Sequence, residues 1–538
     1  MRFGSARKPL NWPRLAWWLR GGLTCALWAA AAVCLAQSRL PPVMPPVVTQ
    51  ANFLQESPQD AKPLPSIADR LRALEEQNVE LQARFSELLK TNEQQAVQLE
   101  QLRGGPVNPR IERSFDDQPE DIRTDQPDPS VAETPTESLF GEGFKWETKD
   151  GEYDLVFHNE TQLDVRAYGQ PNSYPVDQFG FYINRMRLYF NGHLTSPIEY
   201  SVSINKGLGN LDLLDAYFNF NYDPRLQLRV GRYRVPYMYD WYMLSNQFLS
   251  TPERSVFALN YGYNRNWAIM VHGEILDESS EYAVAVANGP RNSYFDSNAA
   301  KDLLAFINVR PFEHATSLPA LKNLNLGGSM GIGDQDQFPR PVAFRTSLAA
   351  TDSEGADRAA PVFLHLYDDV LERGLRRLWE LHIAYFYKQL SLMAAWDTGL
   401  NSYAHDGVND VTRVPTYGYH VQFSYLLTGE EIERRTFIAP LRPFDLRPGK
   451  RGPGAFEIQA RYDDFVVGNE IFSGGFADPE LWTNRVQTID AGVNWYLNMF
   501  TKVYFDWQRA IYASPVPYRP GAFQSSTDLF WLRFQIYF

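Results

Sequence analysis

Two rhythms of apolar and polar residues run along this chain. From residue 151 onward the rhythm has period two. In Arg185-Met186-Arg187-Leu188-Tyr189-Phe190-Asn191, one face carries Met186, Leu188 and Phe190, the other Arg185, Arg187 and Asn191. Phe456, Ile458, Ala460 and Tyr462 likewise alternate with Glu457, Gln459, Arg461 and Asp463. Tyr419, Val421, Phe423 and Tyr425 alternate with Gly418, His420, Gln422 and Ser424. One apolar and one polar face at this period is the pattern of a half-buried strand. Strands running one way are expected near 154–169, 196–206, 225–235, 280–290, 322–333, 390–398, 455–463 and 501–512. Strands running back are expected near 180–194, 211–221, 265–276, 301–312, 373–387, 415–427, 485–497 and 527–538. Most connections on one side are short, such as Ser196-Pro197 and Lys388-Gln389, whereas 236–264, 334–372 and 464–484 on the other are long. Short turns on one side and long loops on the other are the habit of a barrel that crosses a membrane. Residues 428–454 misfit, being a long connection on the short-turn side, and put the register there in question.

The last strand carries the most specific local signal. Phe530, Leu532, Phe534, Ile536 and Phe538 share one face, and Trp531, Arg533, Gln535 and Tyr537 lie between them. A lipid-facing strand ending on an aromatic carboxy terminus is similar to the assembly signal of Gram-negative outer-membrane proteins. A sheet in lipid must satisfy every backbone group internally, so it has to close. The fold class expected is all-β, a 16-stranded antiparallel transmembrane β-barrel.

The second rhythm lies nearer the amino terminus and has heptad spacing. Ile67, Leu74, Leu81, Leu88, Gln95 and Leu102 fall at d, and Leu71, Asn78, Phe85, Asn92 and Leu99 at a. No Gly or Pro interrupts the run. This predicts an α-helical coiled coil over 65–103 preceding the barrel, with Asn78 and Asn92 setting register at some cost in stability. A single amphipathic helix packed on another domain is the alternative, and dimer and trimer both remain open. Pro-rich residues 37–64 read as an extended linker, and 104–150, rich in Gly, Pro, Asp and Glu, as an acidic disordered one. The barrel domain is then 151–538.

Residues 1–36 have a different character. Five basic residues and no acid occupy 1–20, an apolar run extends from Leu23 to Leu35, and Ala36 precedes Gln37. At about 13 residues that run is short of a spanning helix, and the arrangement is that of a secretory signal peptide. An uncleaved anchor is the alternative. Cleavage after Ala36 removes Cys25 and Cys34, the two cysteines of the chain. Disulfides then contribute nothing to the mature chain, and a closed sheet accounts for its stability.

Composition narrows the picture further. Aromatics make up 14% of the chain, which suits girdles at two membrane interfaces. The net charge of −13 argues against nucleic acid as a partner. No His-Glu-x-x-His or P-loop occurs, so no enzyme, metal or cofactor is expected. His193, His420 and Asp490 read as polar residues of strand faces.

Four stretches together resemble the phosphate-selective porin O/P family over roughly 151–538. They are Arg185-Met186-Arg187-Leu188-Tyr189-Phe190-Asn191-Gly192 and Gly231-Arg232-Tyr233-Arg234-Val235-Pro236, continuing through Glu253-Arg254-Ser255. The others are Leu427-Thr428-Gly429-Glu430 with Gly454-Ala455-Phe456-Glu457, and Gly492-Val493-Asn494-Trp495-Tyr496-Leu497-Asn498. The resemblance implies an outer-membrane porin, a homotrimer with a water-filled channel for small solutes or inorganic anions such as phosphate. It implies contact with membrane lipid, lipopolysaccharide and the outer-membrane assembly machinery, with the coiled coil in the periplasm. No phosphate-binding residue of the family can be carried over onto this sequence.

The candidate pore-lining residues follow from parity. Loop 236–264 is the third loop on the long-loop side, the one that folds inward in many porins, and it holds Asp240, Glu253 and Arg254 among Tyr237, Tyr239, Trp241 and Tyr242. A surface or trimer-contact loop is the alternative. Arg185, Arg187, Arg229 and Arg461 lie on polar strand faces, whereas Arg232 and Arg234 break the alternation near a rim or bulge. From residue 141 onward there are 36 basic and 46 acidic residues, a net of −10. An anion channel needs basic rings in its lumen, so this balance argues against inheriting phosphate as the substrate. A barrel serving mainly as a structural anchor, tethered to another envelope layer through the coiled coil, is the second functional reading.

Overall fold

The computed structural model describes residues 143–538 apart from 170–178, 209–210, 293, 297, 348–359 and 520. The expected signal peptide, Pro-rich linker and coiled coil lie outside these residues.

Sixteen long strands form one antiparallel sheet. In chain order the first nine are β2 (Asp154–Tyr168), β3 (Phe179–Thr195), β4 (Ile198–Gly207), β5 (Asp212–Asp223), β6 (Leu226–Arg234), β7 (Arg265–Ile275), β8 (Ser280–Ala287), β9 (Asp302–Val309) and β10 (Asn323–Gln337). The other seven are β13 (Val370–Tyr387), β14 (Leu390–His405), β15 (Thr412–Leu426), β16 (Ala455–Val467), β17 (Arg485–Tyr496), β18 (Thr501–Arg519) and β19 (Ala522–Tyr537). Each pairs with the next, and β19 returns to β2 in register from Leu529↔Tyr168 to Tyr537↔Glu160. The barrel is therefore closed, and each strand expected from period two is present.

Alternation explains why these residues make these strands. In β15, Tyr417, Tyr419, Val421, Phe423 and Tyr425 are exposed outward, whereas Thr416, His420, Gln422 and Ser424 are buried inward. The outer row meets lipid, and the inner row keeps its polar groups out of it. Residues 427–454 do form a long connection on the turn side. The register from Thr416↔Val467 to Leu426↔Glu457 runs unbroken beside it.

Three short strands add to the barrel. β11 (Ala343–Arg345) and β12 (Val362–His365) pair within the long loop between β10 and β13. β1 (Phe144–Glu147) pairs with the first residues of β2, Phe144 opposite Phe157 and Glu147 opposite Asp154. It lies within the last residues of the stretch read as linker. Just beyond it on β2, Phe538 exchanges both backbone hydrogen bonds with Asn159. The Phe538 ring packs edge-on to Phe144 at 5.5 Å between centroids.

Apolar burial is concentrated inside the barrel. Phe257, Tyr261, Phe344, Phe363 and Phe465 interlock there, joining loop residues to the wall of β16.

Candidate functional site

The segment 235–264, between β6 and β7, is the third loop on its rim. It contains α1 (Tyr239–Tyr242), a single 3₁₀ turn at Asn246–Phe248 and α2 (Val256–Tyr261). Thr251, Glu253, Arg254, Ser255 and every residue of α2 are buried. The loop leaves one side of the barrel and docks on the strands opposite.

Its docking is made largely of main-chain carbonyls. A buried stretch of backbone must find partners for each carbonyl, and here the far wall donates them. Gln247 O accepts from Gln535 Nε2 at 2.9 Å, and Leu249 O from Lys502 Nζ at 2.6 Å. Ser250 O accepts from Asn494 Nδ2 at 2.7 Å, Pro252 O from Arg533, and Glu253 O from Arg461 Nη1 at 2.6 Å. Phe248 O accepts from Arg435 Nε at 3.0 Å. Hydrogen bonds from a charged donor contribute about 1.5–3 kcal/mol each, so this row fixes the loop firmly across the lumen.

Ion pairs reinforce it. Glu253 accepts Arg185 through both oxygens, at 2.5 and 2.6 Å, and also Arg533 and Asn184 at 3.0 Å. Arg461 pairs with Asp463 at 3.0 Å and Asp490 at 3.1 Å, and donates to Thr251 Oγ1. Within the loop, Asp240 accepts the Ser255 hydroxyl at 2.9 Å, and Ser255 caps α2 by accepting from Ala258 N. Arg254 lies 4.4 Å over the Trp241 ring and donates to Asp240 O. Arg234 donates to Trp241 O and Leu244 O, which ties the loop to its own strand.

The remaining candidates sit elsewhere. Arg187 faces inward and meets Glu160 at 3.4 Å. Arg229 faces inward over the Tyr217 ring at 4.5 Å. Arg232, expected near a rim or bulge, stands apart from the lumen row. It shares parity with the exposed Leu226, Leu228 and Val230, stands opposite the exposed Trp267, and is covered by Asn292 and Tyr294 of the next loop.

Several residues that build the site were not singled out from the sequence. Arg166 and Arg533 share Asp164, at 2.5 and 2.6 Å. Arg435, from the long turn, pairs with Glu457 at 2.6 Å, and its neighbour Phe437 packs on Phe248 and Tyr537 at 5.0 and 5.4 Å. That turn thus enters the turn-side mouth and touches the loop. The available signal for Arg533 was its place in the polar row of the last strand.

Burial opposes the Glu253 charge, but Arg185 and Arg533 outweigh it and hold the carboxyl below the usual carboxylate range. A depressed value keeps the stabilisation whole above pH 4.5, the ordinary value, and loses it only as pH falls through the lowered one. Single-channel conductance is therefore expected to stay constant between pH 7 and about 5. A conductance jump in that interval, recorded in planar bilayers, would disprove the anchoring role of Glu253.

The family model described as phosphate-selective porin O and P matches residues 157–538. Porin O of Pseudomonas aeruginosa is 32% identical over 87 residues, 16% of this chain, and the chain spans 19% of that relative's length. An anion-selective porin from Comamonas acidovorans aligns with TM-score 0.43 and 11% identity, covering 72% of this chain and all of that one. The outer-membrane channel DcaP of Acinetobacter baumannii aligns with TM-score 0.42 and 11% identity, over 73% of this chain and 99% of that one. With the family match lying over the closed barrel, the chain belongs to the phosphate-selective porin O and P family.

Proposed function

We propose that this protein is an outer-membrane channel for passive diffusion of small ions and hydrophilic solutes, with loop 235–264 as its constriction. The observation that carries this reading is the loop itself, held across the lumen by the carbonyl and ion-pair contacts of Glu253, Arg461 and Arg533. The barrel works as a homotrimer in contact with lipid and lipopolysaccharide, and the coiled coil extends into the periplasm. Porin O and the family name suggest anions, phosphate among them. The arginines here are largely committed: Arg185, Arg187 and Arg461 to carboxylates, Arg234 and Arg254 to carbonyls. Arg229, stacked on Tyr217, faces the lumen with an amide rather than a carboxylate beside it. We therefore read the channel as weakly selective rather than tuned to phosphate.

Purified full-length protein in planar bilayers is expected to give discrete single-channel steps. Smooth leak or silence would sink the channel reading. The reversal potential in a KCl gradient, with phosphate added as a blocker, separates the selectivities. Strong anion preference with phosphate block would restore the tuned reading.

A further inference from the structure

Facing α1, on the wall opposite the arginines that hold Glu253, the inner surface carries carboxylates that no lysine or arginine among the described residues pairs with, although His382 lies 3.5 Å from Glu380. Glu380 and Asp397 stand directly opposite each other on β13 and β14, both in the inward row. Cross-strand neighbours of like charge repel at this separation. Glu380 is occupied, accepting from Tyr239 N at 2.8 Å and from Ser329 Oγ at 2.9 Å. Asp397 is not. It is 1% exposed, and neither of its carboxylate oxygens has a hydrogen-bond partner among the described residues. The charges that bear on it are Glu380, Asp240 and Asp463, all carboxylates. Arg461 answers Asp463, and Arg254 lies in the field of Asp240, but neither acts on Asp397.

Other unpartnered polar atoms gather around it. Asp240 Oδ1, the Tyr237 hydroxyl and His420 Nδ1 are buried without partners among the described residues. Asp397 is the charge that bears most on Tyr237. Gly418, directly opposite Asp397 on β15, brings no side chain of its own, and the Phe257 ring lies against it. A buried carboxylate without a partner is costly, and native proteins rarely leave one unless something comes to meet it.

From this constellation we infer that the inner surface around Asp397, Asp240 and Tyr237 is a binding site for the guanidinium or ammonium group of a small organic cation crossing the channel. It rests on the channel reading above and adds the class of solute. Among the described residues, no three or more His, Cys, Asp or Glu side chains converge closely enough to hold a metal ion. A guanidinium, by contrast, spreads five N–H donors over a planar fork and an ammonium offers three, so one group reaches acceptors that stand apart. Tyr237, packed edge-on with Tyr263 at 5.3 Å, supplies an aromatic ring beside Asp397, and such rings attract cations once water is excluded. Access comes by movement of α1, which covers the carboxylates. At its start Met238 is buried at φ 65, ψ 132, a conformation that bulky residues seldom hold.

The probe is agmatine, a guanidinium with an ammonium at its other end, with glutarate as an anion of similar length. In KCl-bathed planar bilayers agmatine is expected to block the wild-type current and glutarate to leave it unchanged. Asp397→Asn removes one charge-assisted contact, so its half-blocking concentration is expected to rise by about tenfold or more. Asp397→Glu keeps the charge and stays near wild type. Calorimetry of agmatine binding to the wild-type protein in detergent gives a readout independent of any variant folding, and heat is expected there. Equal block in wild type and D397N, or a conducting wild type with neither block nor heat, overturns the cation site and leaves the channel intact. Silence in KCl alone removes the channel reading and takes this site with it.

Discussion

Arg533→Ala is expected to release the tip of loop 235–264 and turn a steady conductance into a larger, flickering one. Arg533 is fully buried and holds three acceptors at once. It reaches Asp164 at 2.6 Å, Glu253 at 3.0 Å, and the Pro252 carbonyl. Removing it leaves Asp164 with Arg166 alone and Glu253 with Arg185. Breaking one side of a buried pair costs about 3–5 kcal/mol, enough to shift the docked-to-released ratio by more than about a hundredfold. Asp164 and Arg533 lie on wall strands, so part of this cost falls on the barrel and part on the loop. Arg533→Lys keeps the charge and loses the fork, and should fall between the two. Single-channel amplitude and open-state noise are the readouts, with heat-shifted gel migration confirming a folded barrel. Traces indistinguishable from wild type would show that the loop is held by something other than this arginine.

The second large effect concerns the long turn. Excising 431–440, together with Glu457→Gln, is expected to raise conductance several-fold without changing the strand register. That segment fills the turn-side mouth with Ile432, Arg435, Phe437 and Ile438. The accompanying Glu457→Gln matters because Arg435 is the guanidinium paired with Glu457, and a stranded buried carboxylate would confuse the result. Arg435 also donates to Phe248 O, four residues from Pro252, so the two contacts restrain one short stretch of backbone. Combined with Arg533→Ala, the excision should be non-additive, as expected for groups sharing one element. Strict additivity in a double-mutant cycle on open-state occupancy would mean that turn and wall act on the loop independently.

Much of the barrel was legible because a strand with lipid on one side and polar lumen on the other must alternate. Rows such as Tyr417 to Tyr425 in β15 leave no second reading of their period. Loop 235–264 was legible by its length and its aromatic content. Its anchors were less so. Lys502, Arg435 and Arg533 donate to main-chain carbonyls 187 to 281 residues away in sequence, and any peptide group can be such an acceptor, so no residue type marks the partner. Arg232 was legible only as a break in the alternation. It shares parity with Val230, stands opposite Trp267, and the following loop hides it from solvent. Asp397 was passed over because a single aspartate in a strand is ordinary until its neighbours prove to be acids too.

The small hairpin at the seam has a practical side. Phe538 pairs with Asn159, and Phe144 already occupies the place opposite Phe157. A chain prolonged past residue 538 along β2 would at once meet Gly143, which stands so close to the Phe157 carbonyl and the His158 ring that even an added Cβ would clash there. An affinity tag fused to the carboxy terminus would therefore have to swing out of the sheet at once or displace β1. A loop on the opposite rim, such as the Gly407 turn with open space around it, is the better place to attach one.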